Sequence, residues 1–147
     1  MTATYQKLGL QFLYPENWKL TDETNSDLPC SISLETPTGD ALWSMHIFSI
    51  ESDPDEILKE TLTTLQETYL DLEVSPIDSA FEPFPGTGFE ALFYCLDFLI
   101  RVRLQVVSTD DYQLLFWFQA EDREFDKQEP VFQAMTISVL SESEEAN

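Results

Sequence analysis

The segment DYQLLFWFQAE, Asp111 to Glu121, narrows most sharply what this chain can fold into. At the two-residue period of a strand, Leu114, Phe116 and Phe118 point one way and Leu115 and Trp117 the other, so both faces are apolar. A strand with one wet face alternates apolar and polar residues. One that is apolar on both sides belongs in the interior of a sheet covered above and below. The rest of the chain must therefore supply a cover for each face.

Two helices are available. At Asp53–Glu56 the sequence DPDE has an aspartate to cap a helix, proline at the first helical position and a glutamate three residues after the cap. Leu58, Leu62, Leu65 and Tyr69 then recur at helical spacing and define one buried face. The second helix is DREFDKQEPVFQAMTISV, with Phe125, Phe132, Met135 and Val139 at helical spacing, Asp122 as its cap and acidic residues in its first turns, where the helix dipole favours them. Pro130 should kink this helix or mark where its regular part begins.

The remainder reads as strands. Leu8, Leu10 and Phe12 alternate in a first strand that Pro15 ends, and a polar loop, Thr21–Asp27, follows. SISLE and ALWSMHIFSI form a strand pair around TPTGD, with Gly39 supplying the turn. In LEVSPIDSAFEPF, Pro76 marks an edge or interrupted strand, and PGTG, Pro85 to Gly88, turns the chain back. GFEALFYC, IRVRLQVVS and the final strand are joined near Asp97 and at Thr109–Asp111. The expected fold is α+β: a mostly antiparallel sheet of about six or seven strands with helices on both faces, an α/β/α sandwich. A single domain spans residues 1–140. The tail 141–147, SESEEAN, is expected to be disordered because it has nothing to bury.

A chain of 147 residues can bury a core without staples. Its 43% apolar and 13% aromatic content also separates it from disordered acidic chains. A net charge of −21 repels phosphate backbones and anionic headgroups, so neither nucleic acid nor a membrane is an expected partner. The charge is a solvated surface or the complement of a basic protein. No apolar run approaches the ~20 residues of a bilayer span, and the first residues lack a signal-peptide run. Cys30 and Cys95 have no metal-ligand spacing and are expected to be buried free thiols. Together these features lead to an expected cytoplasmic location.

Chemistry is scarce. His46, the only histidine, sits in an expected strand as a satisfied sheet residue, with no nucleophile motif to accompany it. The carboxylate runs DETNSD and ESDPDE lack the spacing of an EF-hand, and four glycines provide no phosphate-cradling loop. No metal, cofactor or catalytic residue is expected. Arg101 and Arg103 share one face of a strand, either to pair with carboxylates or to meet an acidic group of a partner.

The strand ending in YPENW, the two strands and capped helix after it, and the unit LLFWFQAEDREFDKQEPVFQAMTISV together resemble the PsbP-like superfamily. That group includes the photosystem II extrinsic PsbP proteins, Mog-type Ran-binding import factors, DcrB-like bacterial lipoproteins and effector chaperones of type VI secretion. The likeness spans about Leu8 to Val139. It implies that Trp18 folds back onto the sheet as a core anchor and that the protein binds other proteins without catalysis. No subfamily is assigned. The first cysteine, Cys30, is too late for a lipobox, and Trp117 and Gln119 match the secretion chaperones only loosely.

The expected function is a protein-binding or assembly module of chaperone-like character, its partner a protein and its oligomeric state open. Trp117, Phe93, Arg101 and Arg103 are its candidate surface. The alternative is a small-molecule carrier with a pocket between sheet and helix lined by Phe93 and Trp117.

Overall fold

The computed structural model describes residues 1–77 and 86–145. Along the chain the elements are β1 (Thr2–Lys7), β2 (Leu10–Pro15), β3 (Lys19–Glu23), β4 (Cys30–Glu35), β5 (Ala41–Ser49), α1 (Pro54–Thr68), β6 (Glu73–Ile77), β7 (Gly86–Cys95), β8 (Phe98–Ser108), β9 (Tyr112–Glu121) and α2 (Asp122–Glu145). Strands β3 to β9 form one seven-stranded sheet in the order β3-β4-β5-β9-β8-β7-β6, with each neighbouring pair antiparallel. The strand that is apolar on both faces is thus the central one, as its composition requires.

Two cores follow from its two faces. On one, Leu114, Phe116 and Phe118 join Trp43, Met45 and Ile47 of β5 beneath Phe125, Phe132, Met135 and Val139 of α2. On the other, Leu115 lies with Phe89, Ala91, Val102, Leu104 and Val106 beneath Ile57, Leu58 and Leu65 of α1. Each large side chain so buried stabilises the fold by roughly 1.5–3 kcal/mol. α1 packs on β7 and β8, so its side of the sheet is covered over that half, while α2 lies over β5, β8 and β9.

The amino-terminal segment differs from expectation. A single strand from Leu8 to Phe12 is replaced by a hairpin, β1 and β2, paired from Thr2↔Pro15 to Lys7↔Leu10. Leu8 and Gly9 form its two-residue loop, both with positive φ, the geometry that matches the twist of a hairpin. The ribbon contributes Tyr5, Leu10 and Phe12 to the α2 core. Strand β2 does end at Pro15, and Trp18 turns back to meet Phe132 of α2 edge-on at 6.2 Å between ring centroids. The corner anchors the core, as the resemblance implies.

Further differences have local causes. Part of the expected loop Thr21–Asp27 is the edge strand β3, drawn into the sheet by backbone pairing with β4 although its own residues are exposed. Gly86–Gly88 belong to β7 rather than to a turn, and the preceding stretch from Asp78 to Pro85 lies outside the described residues. A Cβ at Gly88 would overlap the Leu104 carbonyl oxygen, so this strand position admits only glycine. At the start of α2, the Glu121 carboxylate accepts from the backbone N–H of Arg123 at 3.0 Å and of Glu124 at 3.2 Å. The cap is therefore Glu121, not Asp122. α2 runs unbroken through Pro130 and on to Glu145, into the stretch expected to be disordered.

Candidate functional site

Three connections meet at one end of the sheet, because β4, β5, β9, β8 and β7 lie side by side and alternate in direction. They are the β4–β5 turn, the β7–β8 tip and the junction of β9 with α2. Together they enclose an open cleft of about 650 Å³. Its floor is apolar, made by Leu42, Phe98 and Ile100. Glu35, Asp40, Glu121 and Glu124 also line it. Asp40 accepts a 2.6 Å hydrogen bond from the Thr36 hydroxyl, which holds its carboxyl below the ordinary value.

The β7–β8 tip is the unusual part. Cys95 pairs with Phe98, leaving Leu96 and Asp97 as a two-residue loop. Leu96 has φ 57°, a left-handed conformation normally given to glycine at the first position of such a turn. It is 90% exposed, and its neighbours Tyr94 and Phe98 are exposed as well. Leu8 has a similar φ but packs against the α2 core, so burial offsets the strain there. Leu96 has no such compensation.

Among the described residues, no group of three or more His, Cys, Asp or Glu side chains is set to hold a metal ion. His46 lies on the same face of the sheet as the cleft floor. Its Nε2 is 3.2 Å from the hydroxyl of Ser44, which is buried, and desolvation pushes the imidazole pKa down despite the charge of Glu23.

No family model matches the sequence, and no curated protein resembles it in sequence. Solved structures do. The cyanobacterial PsbP protein CyanoP from Synechocystis sp. PCC 6803 superposes with a TM-score of 0.67 at 16% identity, covering 93% of this chain and 90% of that one. The chain has the PsbP-like fold. Two further proteins share it at lower scores. PA94 of Pseudomonas aeruginosa, a protein of unknown function described as a putative regulator, gives 0.54 at 8% identity over 93% of this chain and 94% of its own. LpqN of Mycobacterium tuberculosis, involved in cell envelope biogenesis, gives 0.50 at 14% identity over 92% and 87%.

Within this PsbP-like sheet the four residues singled out from the sequence do not share a surface. Arg101 and Arg103 face α2. The Arg101 Nε donates to Asp122 at 2.9 Å, Arg103 donates to Glu90 and Glu129 at 3.1 Å each, and both guanidinium groups lie about 5 Å from the centre of the Phe125 ring. They clamp the helix onto the sheet. Phe93 is on the opposite face, stacked at 3.9 Å on Tyr69, the residue that follows α1. Trp117 is half-buried and borders the cleft through Gln119, whose side-chain oxygen accepts from its indole N–H at 2.8 Å. A second groove, about 540 Å³ between the β1–β2 ribbon and α2, contains neither Phe93 nor Trp117.

Cys95, expected in the core, is instead exposed at the tip, while Cys30 is buried. Sequence reasoning passed over Tyr94, Leu96 and Phe98. The signal that marks them is a leucine where a two-residue hairpin loop normally demands glycine or asparagine.

Proposed function

We propose that this chain is a non-enzymatic protein-binding module and that its contact surface is the cleft beside the β7–β8 tip. One observation carries the reading: Leu96 is held at positive φ and is 90% exposed. A leucine in that conformation costs roughly 1–2 kcal/mol, and its exposure contributes nothing to the core. Folding alone gives nothing in return for the strain, whereas contact with a partner would bury the side chain. The adjoining exposed Tyr94 and Phe98 extend the patch.

The proteins that share the fold support a non-catalytic role, since they are known as a PsbP protein, a putative regulator and a participant in cell envelope biogenesis, with no reaction named. The unpaired thiols of Cys30 and Cys95 favour a reducing, cytoplasmic setting.

The test is an array of short peptides with apolar cores, probed with the full chain and with the Leu96→Gly/Phe98→Ser variant. Circular dichroism and thermal unfolding establish that the variant is folded. Peptides retained by the wild type and lost with the variant support the cleft. Equal retention by both proteins, or no retention by either, overturns it.

A further inference from the structure

Taking the cleft as the contact surface, we infer that its occupant is a short apolar protein segment flanked by lysine or arginine. The floor and the acidic side chains make different demands. Leu42, Phe98 and Ile100 offer apolar contact, while Glu35, Asp40, Glu121 and Glu124 place carboxylates around it, and none of the lining residues is a lysine or arginine.

Internal partners leave most of this charge in place. Glu121 accepts from two backbone N–H groups of α2, which bring no side-chain cation to it, and the Thr36 hydroxyl holds the Asp40 carboxyl below its ordinary value. Lys127 lies 4.0 Å from Glu124 and its charge also acts on Asp40, but it is largely exposed and screened by solvent. An apolar segment with acidic flanks would meet like charge at the cleft. A basic one would lay its aliphatic stems on the floor and bring its charged ends to the carboxylates.

A lipid surface fits less well. The exposed tip is apolar, yet the carboxylates beside it and the net charge of −21 repel the anionic headgroups that such a tip would approach. A concave site of about 650 Å³ also suits a few side chains of a segment rather than a flat bilayer.

Three labelled peptides with one apolar core and flanks of lysine, serine or glutamate separate the possibilities by fluorescence anisotropy on the full chain. The lysine-flanked peptide should bind tightest and the glutamate-flanked one weakest. Glu35→Gln with Glu124→Gln should weaken the first by about fivefold, as expected for two exposed ion pairs, and added salt should do the same. If lysine- and serine-flanked peptides bind equally, and both are lost in Leu96→Gly/Phe98→Ser, the cleft stands and the basic occupant is wrong. If no peptide binds, or if that variant binds as the wild type does, the cleft reading fails and the inference falls with it. Sedimentation with zwitterionic phosphatidylcholine vesicles is the remaining arm. Retention that depends on Phe98 and is not displaced by the lysine-flanked peptide would identify a lipid occupant and overturn the proposal.

Discussion

The Trp43 indole N–H donates to the Thr136 hydroxyl at 3.0 Å, between β5 and α2, where both residues are fully buried. That hydroxyl in turn donates to the Phe132 carbonyl at 2.9 Å, so the network is closed. It ties α2 to β5 through a polar contact inside an apolar core. Among the described residues, no buried side-chain nitrogen or oxygen lacks a partner.

Thr136→Val keeps the shape and strands the indole N–H. The expected loss is about 1–3 kcal/mol, the cost of an unsatisfied buried donor. Thr136→Ser should recover most of it. Urea unfolding of the three proteins reads the difference, and equal midpoints for valine and threonine would show that the bond contributes nothing.

Arg103 bridges Glu90 on β7 and Glu129 on α2 with one guanidinium group, most of which is shielded from solvent. Lysine is a point charge and cannot hold both carboxylates in that fork. Arg103→Lys should lower stability by about 1 kcal/mol and Arg103→Ala by more, since alanine removes the contacts to both carboxylates and leaves Glu90 its longer, 4.0 Å contact with Arg101. Thermal unfolding at low and high salt checks both. A lysine variant indistinguishable from wild type would make the contact a simple charge pair.

The leucine at the β7–β8 tip should be separable from folding. Leu96→Gly relieves the left-handed strain and is expected to raise stability by about 1 kcal/mol while weakening binding at the cleft. A variant that is more stable and unimpaired in binding would leave the leucine without a role.

Stability should fall as the pH is lowered through two windows. Burial lowers the folded His46 pKa below its ordinary 6.5, so between those values the unfolded chain binds more protons and stability rises with pH. It is lost as pH falls from 6.5 through the folded value, and His46→Gln should flatten that slope. The Thr36 hydrogen bond lowers the Asp40 pKa below 3.8; its contribution is complete above that pH and disappears as pH falls through the folded value. Asp40→Asn should reduce the second slope and leave the first unchanged; the Asp22 carboxyl, also held low, by its hydrogen bonds with Thr24, keeps a share of it. Denaturant midpoints measured from about pH 3 to about pH 8 test both signs.

Much of the fold is legible in the sequence because its signals are local. The two-sided apolarity of Leu114–Phe118 requires a covered central strand, and Asp53 with Pro54 specifies the start of α1, where Asp53 accepts from the Asp55 N–H at 2.9 Å. Arg101 and Arg103 on one strand face carry their need for carboxylates with them. What the sequence does not contain is the set of distant neighbours. Glu121 caps α2 because Asp122 is held by Arg101, a residue remote in sequence. Lys19–Glu23 becomes a strand through backbone pairing with β4 that its exposed side chains do not specify. The cleft joins three connections that are far apart along the chain, and only the strand order brings them to the same end of the sheet. Periodicity, caps and turns act over a few residues and are written locally, whereas the coverage of each face and the company each charge keeps depend on long-range pairing that only the folded chain establishes.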